Sequence, residues 1–171
     1  MKYLVVVDMQ NDFVYGALGS ECAKSIVENV KKYIENFEGE VIFTKDTHEE
    51  NYLKTQEGKK LPVLHCIKNT KGWEIIQELA PLSFGKKIFD KPSFGSVELA
   101  EYLKSENDVQ EVIFVGLCTD ICVISNAYLV KAYMPEVPIT VDASCCAGVT
   151  SASHKNALEA MKCCQINIVN E

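Results

Sequence analysis

Three side chains that together could run nucleophilic chemistry at a carbonyl, a carboxylate, an ammonium and a thiol, each follow an apolar run in this chain. Asp8 closes Lys2-Tyr-Leu-Val-Val-Val7, Lys91 follows Lys86-Lys-Ile-Phe-Asp90, and Cys122 lies just beyond Glu111-Val-Ile-Phe-Val115 in the stretch Gly116-Leu-Cys-Thr-Asp-Ile-Cys-Val123. A thiol attacks as thiolate, so it needs a base to take its proton or a cation to hold the charge. Asp8 can be the base and Lys91 the cation. A cysteine at a strand-to-helix turn also sits in the positive field of unpaired helix N–H groups, which favours thiolate. The carbonyl under attack becomes an oxyanion, and the backbone amides of Cys118 and Cys122 are the natural donors to it. On the residues alone other uses stay open. Cys118 and Cys122 at i, i+4 also suit a redox pair or half of a thiolate metal site, and Asp8 and Lys91 suit a loop cap and a solvated surface lysine.

A second group lies between residues 45 and 70, where helical and strand periodicity is lost over a length at which connections are often functional. Asp46-x-His48 and His65 offer one carboxylate and two imidazoles, enough for a divalent metal left open to water or substrate. The bland alternative is a hydrated loop, since Glu49, Glu50, Lys59 and Lys60 surround these residues.

The elements that must position these groups follow from patterning. Lys2–Asp8, 40–44, 86–90, 111–115, 138–142 and 165–169 read as short buried strands. Between them, apolar residues at helical spacing predict helices from the N-cap Ser20 to Gly39, through Trp73, Ile76 and Leu79, through Val97, Ala100 and Leu103, from Asp120 to about Met134, and from Ser153 to Met161. Alternation of strand and helix predicts an α/β fold: three αβα layers around a six-stranded, mainly parallel, Rossmann-like sheet in one domain over 1–171. In such a sheet Asp8, Asp46, His48, Lys91, Cys122 and Asp142 fall along one carboxyl edge, where ligands bind.

Composition sets outer bounds. A formal charge of −7 with no basic cluster argues against a nucleic-acid surface. Asp8 interrupts the first apolar run, so neither a signal peptide nor a membrane span is expected, and the cytoplasm is the default location. Eight cysteines, four of them in the adjacent pairs Cys145-Cys146 and Cys163-Cys164, read as small buried packing residues rather than a disulfide framework.

With these residues in view, the chain resembles the isochorismatase-like cysteine hydrolases, and within them the nicotinamidases. The resemblance rests on Val7-Asp-Met-Gln-Asn-Asp-Phe13, on Lys91 in Asp90-Lys-Pro-Ser-Phe-Gly-Ser96, and on Gly116-Leu-Cys-Thr-Asp-Ile-Cys-Val123. Looser matches are Val141-Asp-Ala-Ser144 and Ser153-His154. It implies an Asp8–Lys91–Cys122 triad and a cis peptide at Leu117–Cys118 that turns the Cys118 amide into the oxyanion hole. It implies a divalent metal on Asp46, His48 and His65, with Glu57 where some members place a further ligand: zinc first, iron(II) or manganese(II) as alternatives. Such a metal would hold a substrate ring nitrogen, and Phe13 would give the pocket an aromatic face. The chain departs from the pattern at Leu61-Pro-Val-Leu64, where many nicotinamidases carry a tryptophan. The implied reaction converts nicotinamide and water to nicotinate and ammonia through a cysteine thioester. A same-fold amidohydrolase for a carbamoyl or ureido substrate, and a non-catalytic thiol-rich redox or metal-responsive module, are the rivals. The partner expected is a small amide, with self-association left open; His154, without an evident partner, is read as structural.

Overall fold

The six apolar runs form one sheet. In the computed structural model, which describes residues 1–171, the strands are β1 (Lys2–Val7), β2 (Glu40–Asp46), β3 (Lys87–Lys91), β4 (Glu111–Leu117), β5 (Ile139–Ala147) and β6 (Asn167–Val169). They lie in the order β3-β2-β1-β4-β5-β6, and every neighbouring pair is parallel. The helices are α1 (Asn11–Val14), α2 (Glu21–Ser25), α3 (Val27–Glu35), α4 (Gln56–Lys60), α5 (Val97–Ser105), α6 (Ile124–Tyr133) and α7 (Ser151–Cys163).

Period-two alternation along β1 divides its side chains between two apolar layers. Tyr3, Val5 and Val7 pack with Leu103 of α5, Val130 of α6 and Met161 of α7. Leu4 and Val6 pack with Val30 and Ile34 of α3 on the other face. Each fully buried aliphatic side chain of this kind contributes about 1.5–3 kcal/mol, which is why the central strands read as unbroken apolar runs. Chain order reverses between β1 and β4, so a crevice opens at their carboxyl ends. Gly116 sits there with φ +113, and a Cβ on it would fall on the Val7 carbonyl oxygen. Only glycine lets the two strands meet this closely.

Several boundaries differ from the sequence reading. The helix expected over 20–39 is capped by Ser20 but breaks at Ile26 into α2 and α3. Trp73, Ile76 and Leu79 do not share a helix; only 3₁₀ turns form, at Lys71–Trp73 and Ala80–Ser83. The backbone between those turns bonds to the segment from Met9 to the start of α1 instead, with Asn11 N–H donating to the Glu74 carbonyl and Ile76 N–H to that of Met9. The aperiodic stretch holds a 3₁₀ turn at Tyr52–Lys54 and α4, capped by Thr55. In place of an α-helical start at Asp120, a π-helical turn spans Thr119–Val123 before α6.

The fifth strand runs on to Ala147 because the small residues Ala143, Cys145, Cys146 and Ala147 are buried against the sheet's neighbours. Cys146 and Ala147 pair with Gly116 and Leu117 after a register shift. Asp142 therefore does not end β5 at the carboxyl edge. It lies within the strand opposite Val169 and accepts hydrogen bonds from Ser144 and Asn170. All eight cysteines are free; Cys145 and Cys146 are buried, whereas Cys22, Cys163 and Cys164 are exposed and do not pack in the core. α7 extends to Cys163, which places that pair at its solvent-facing end.

Candidate active site

Strand ends bring Asp8, Lys91 and Cys122 together at the β1/β4 crevice. Asp8 leaves β1 with φ +48, a left-handed conformation that Asp tolerates better than most residues. Lys91 is the last residue of β3, and its Nζ reaches back 2.6 Å from Asp8 Oδ2, 3.4 Å from Cys122 Sγ and 3.1 Å from the Ser93 carbonyl oxygen. Asp8 and Lys91 are fully buried and Cys122 is 5% exposed. The other Asp8 oxygen accepts the Thr44 hydroxyl at 2.6 Å. Asn126, also fully buried, donates to the Cys122 carbonyl at 2.8 Å and so fixes the turn that carries the thiol.

Electrostatics correct one expectation. Burial pushes the Cys122 thiol well above its ordinary value; the nearby Asp8 carboxylate adds to this and Lys91 only partly offsets it. Cys122 lies within the π-helical turn, not in the first turn of an α-helix, so the resting group is a thiol rather than a thiolate. Burial also raises Asp8, against the lowering effect of Lys91 and Thr44. Burial disfavours the charge on Lys91, but Asp8, Cys122 and Asp46 outweigh it and hold the ammonium. A stronger base than usual thus faces a protonated thiol.

Asp46, His48, Glu57 and His65 converge in space, with ligand-type atoms all within 4.8 Å of one another. Asp46 Oδ2 lies 3.0 Å from His48 Nε2 and 3.6 Å from His65 Nε2, and Glu57 Oε1 lies 3.6 and 3.9 Å from the same two nitrogens. His65 Nδ1 meets the Val63 carbonyl at 2.7 Å, the outer contact that fixes a metal-binding imidazole with Nε2 inward. His48 Nε2 is buried and, although 3.0 Å from Asp46 Oδ2, is not aligned for a hydrogen bond with it or with any other group. Two imidazoles and two carboxylates with an orphaned inward nitrogen fit a divalent cation, with donors suited to zinc, iron(II) or manganese(II). Tyr52, fully buried, packs its ring 4.5 Å from His48 and 5.0 Å from His65 between ring centroids.

Asp46 joins the two groups, because its Oδ1 lies 3.3 Å from Lys91 Nζ. Burial works to raise its pKa, yet His48, His65 and Lys91 together hold the carboxyl well below the usual range. Gln10 braces this arrangement: it donates to the Asp46 carbonyl at 2.9 Å and accepts the Asp46 N–H at 2.8 Å.

A cavity of about 480 Å³ is lined both by Cys118 and Cys122 and by Asp46, Glu57 and His65. Its walls are apolar, from Phe13, Leu61, Phe94, Ile121 and Val149. Phe13 also stacks obliquely on His65, ring centroids 5.6 Å apart. Trp73 stands away from this cavity, donating its indole N–H to Thr47 with Lys45 3.0 Å over its ring. The Leu117–Cys118 peptide is cis. His154 does have a partner, for its Nδ1 lies 2.8 Å from Thr119 Oγ1. Sequence reasoning missed Thr44, Gln10, Tyr52, Asn126 and this contact; the available signal was polar or hydroxyl-bearing side chains inside apolar patterns.

Sheet order and a thiol at the switch point put the molecule in the class of open-sheet α/β proteins with a reactive side chain at the carboxyl edge. The chain belongs to the isochorismatase family: the Isochorismatase domain model matches residues 2–170. It is 30% identical over 174 residues to the isochorismatase family protein PncA of Bacillus subtilis (strain 168), covering 92% of each chain. It is 25% identical over 174 residues to the nicotinamidase of Saccharomyces cerevisiae, covering 74% of this chain and 80% of that one. The crystal structure of the pyrazinamidase of Pyrococcus horikoshii in complex with zinc superposes with a TM-score of 0.84 at 29% identity, covering 99% of each chain. The chain is thus a nicotinamidase- and pyrazinamidase-like hydrolase by family.

Proposed function

We propose that this protein is an amidase that hydrolyses nicotinamide to nicotinate and ammonia through a thioester on Cys122. The observation that carries the reading is a single buried ammonium, Lys91, 2.6 Å from Asp8 and 3.4 Å from the Sγ of Cys122, which lines an apolar cavity shared with Asp46, Glu57 and His65 of the metal-type cluster. The names of the similar proteins support it.

In this reaction Asp8, its proton affinity raised by burial, takes the Cys122 proton as the sulfur bonds to the carboxamide carbon. The carbonyl π pair moves to oxygen, which the amides of Cys118 and Cys122 stabilise; one such donor is typically worth ~10²–10³ in rate. Asp8 passes its proton to the amide nitrogen, the C–N bond breaks, and ammonia leaves a thioester. Asp8 then takes a proton from water as its oxygen attacks the thioester carbon. The C–S bond breaks, nicotinate departs and the thiol regains the proton. Lys91 keeps Asp8 ionised between these transfers and offsets the charge on sulfur.

Asp46, His48, Glu57 and His65 would hold a divalent ion, zinc by likeness to the Pyrococcus protein, whose chemistry there is to accept a ring-nitrogen lone pair. Phe13, Phe94 and Leu61 supply apolar wall for a pyridine ring in the cavity that Cys122 also lines, so a ring held by the cluster would leave its carboxamide for the thiol.

The test is ammonia release from nicotinamide, benzamide and a ureido compound, with the metal content of protein purified without chelator. Release from nicotinamide, little from benzamide, loss on Cys122→Ala and about one divalent ion per chain support the reading. Release only from the ureido compound, or from none with no metal present, overturns it.

A further inference from the structure

His154 is the one histidine outside the Asp46, His48, Glu57 and His65 cluster, and the reaction above leaves it unused. Its partner Thr119 is fully buried and begins the π-helical turn between Cys118 and Cys122, the residues whose amides meet the oxyanion. Asp120, the next residue, is tied to the same region, accepting the Val149 N–H at 3.1 Å. Within the turn, the Cys118 carbonyl accepts the amides of both Ile121 and Val123, at 3.1 and 3.0 Å, one spacing tighter and one wider than that of an α-helix, so no regular ladder holds it. Side chains from outside therefore fix its shape, with Asn126 acting from α6 and His154 from α7.

α7 is a stiff place from which to do this. It has 13 residues, and a reciprocal Thr150–Ser153 capping box holds its first turn, where His154 sits. The chain also passes close at Gly148, where a Cβ would lie 2.9 Å from the His154 Cβ. Burial lowers the His154 pKa, so near neutral pH the uncharged ring can accept the Thr119 hydroxyl proton at Nδ1.

We propose that His154 is a positioning residue that, through the Thr119 hydroxyl, holds the Cys118–Cys122 turn so that its two amides face the oxyanion. The inference rests on the proposed thioester reaction, and its test includes probes that do not need amide turnover. Pyridine-3-carbaldehyde adds to a thiol: the sulfur bonds to the aldehyde carbon, the carbonyl pair moves to oxygen, and the thiol proton ends on that oxygen or on Asp8. The adduct places an oxygen where the reaction's oxyanion forms. Iodoacetamide alkylates Cys122, the sulfur bonding to its methylene carbon as iodide leaves and the thiol proton passes to Asp8 or water, and makes no such demand.

The experiment compares His154→Ala, His154→Asn and Thr119→Val for kcat and KM on nicotinamide, aldehyde affinity, and the alkylation rate of the Cys122 peptide by mass spectrometry. His154→Ala should lower kcat by roughly 10–100-fold with KM within about twofold, because small displacements of preorganised donors act on the transition state. Aldehyde affinity should fall by a similar factor while alkylation stays within about twofold. His154→Asn, whose amide reaches the Nδ1 position, should recover most of both losses, and Thr119→Val should add nothing to His154→Ala. Unchanged kcat and aldehyde affinity, or an alkylation rate that falls in step with them, would overturn the proposal. If the parent protein releases no ammonia from any amide, the proposed reaction fails, and aldehyde affinity against alkylation still decides the role of His154.

Discussion

Replacing Lys91 by Met removes one charge from the centre of the site and keeps most of the side-chain volume. The ammonium is fully buried, 2.6 Å from Asp8 and 3.3 Å from Asp46. At an effective dielectric near 20 these two attractions are worth about 6 and about 5 kcal/mol, and the cost of taking the ions out of water offsets several kcal/mol of that. Removing the ammonium alone leaves two carboxylates facing each other, so the substitution should cost about 3–5 kcal/mol in the metal-free protein at pH 7. Urea unfolding of chelator-treated samples measures it. Adding Asp8→Asn to Lys91→Met removes one stranded charge and should recover roughly half the loss, without restoring ammonia release. A Lys91→Met protein within about 1 kcal/mol of the parent, or a double variant no more stable than the single, would refute the assignment of Lys91 as the counter-charge for both carboxylates.

Three further outcomes follow from the same geometry. Thr44→Val deletes the hydroxyl that lowers the Asp8 pKa, so the acid limb of kcat/KM should move to higher pH and stability should fall by about 1.5–3 kcal/mol, read by a pH profile and by denaturation. Glu57→Gln keeps an oxygen but removes its charge, and zinc affinity measured by calorimetry should drop about tenfold or more while Lys91 and Cys122 stay in place. Asp46 is held below the ordinary carboxylate value of 3.8, so it contributes stability above that pH and loses it as pH falls through the depressed folded value. Metal-free protein should therefore show a rise of stability with pH below about 4 that Asp46→Asn flattens, measured as urea midpoints across pH 2–5.

Much of this site was legible because each reactive group ends an apolar strand. Asp8 and Cys122 follow β1 and β4, Lys91 is the last residue of β3, and parallel strands place their carboxyl ends on one edge. Asp46 and His48 share a side by period two, and His65 completed the pattern by residue type. Asp142 failed by the same logic, because its strand did not stop: small residues after it continued the pairing to Ala147. The resting thiol was misread because burial depth, which dominates the Cys122 pKa, is a tertiary quantity. Asn126 acts across elements, bonding Ser96 and Phe94 30 and 32 residues away, which spacing does not encode, and Tyr52, though near His48 in sequence, meets both His48 and His65 only once the loop folds. Thr44 was within reach, since a hydroxyl two residues before Asp46 in a buried strand needs a polar partner.

The most direct test of the account is to trap the acyl group on sulfur. Protein mixed with nicotinamide, quenched in acid within milliseconds and digested, should carry a pyridine-carbonyl mass increment on the peptide containing Cys122, and Cys122→Ala should neither carry it nor release ammonia. Ammonia release that persists in Cys122→Ala, or an acyl increment confined to another cysteine, would contradict it.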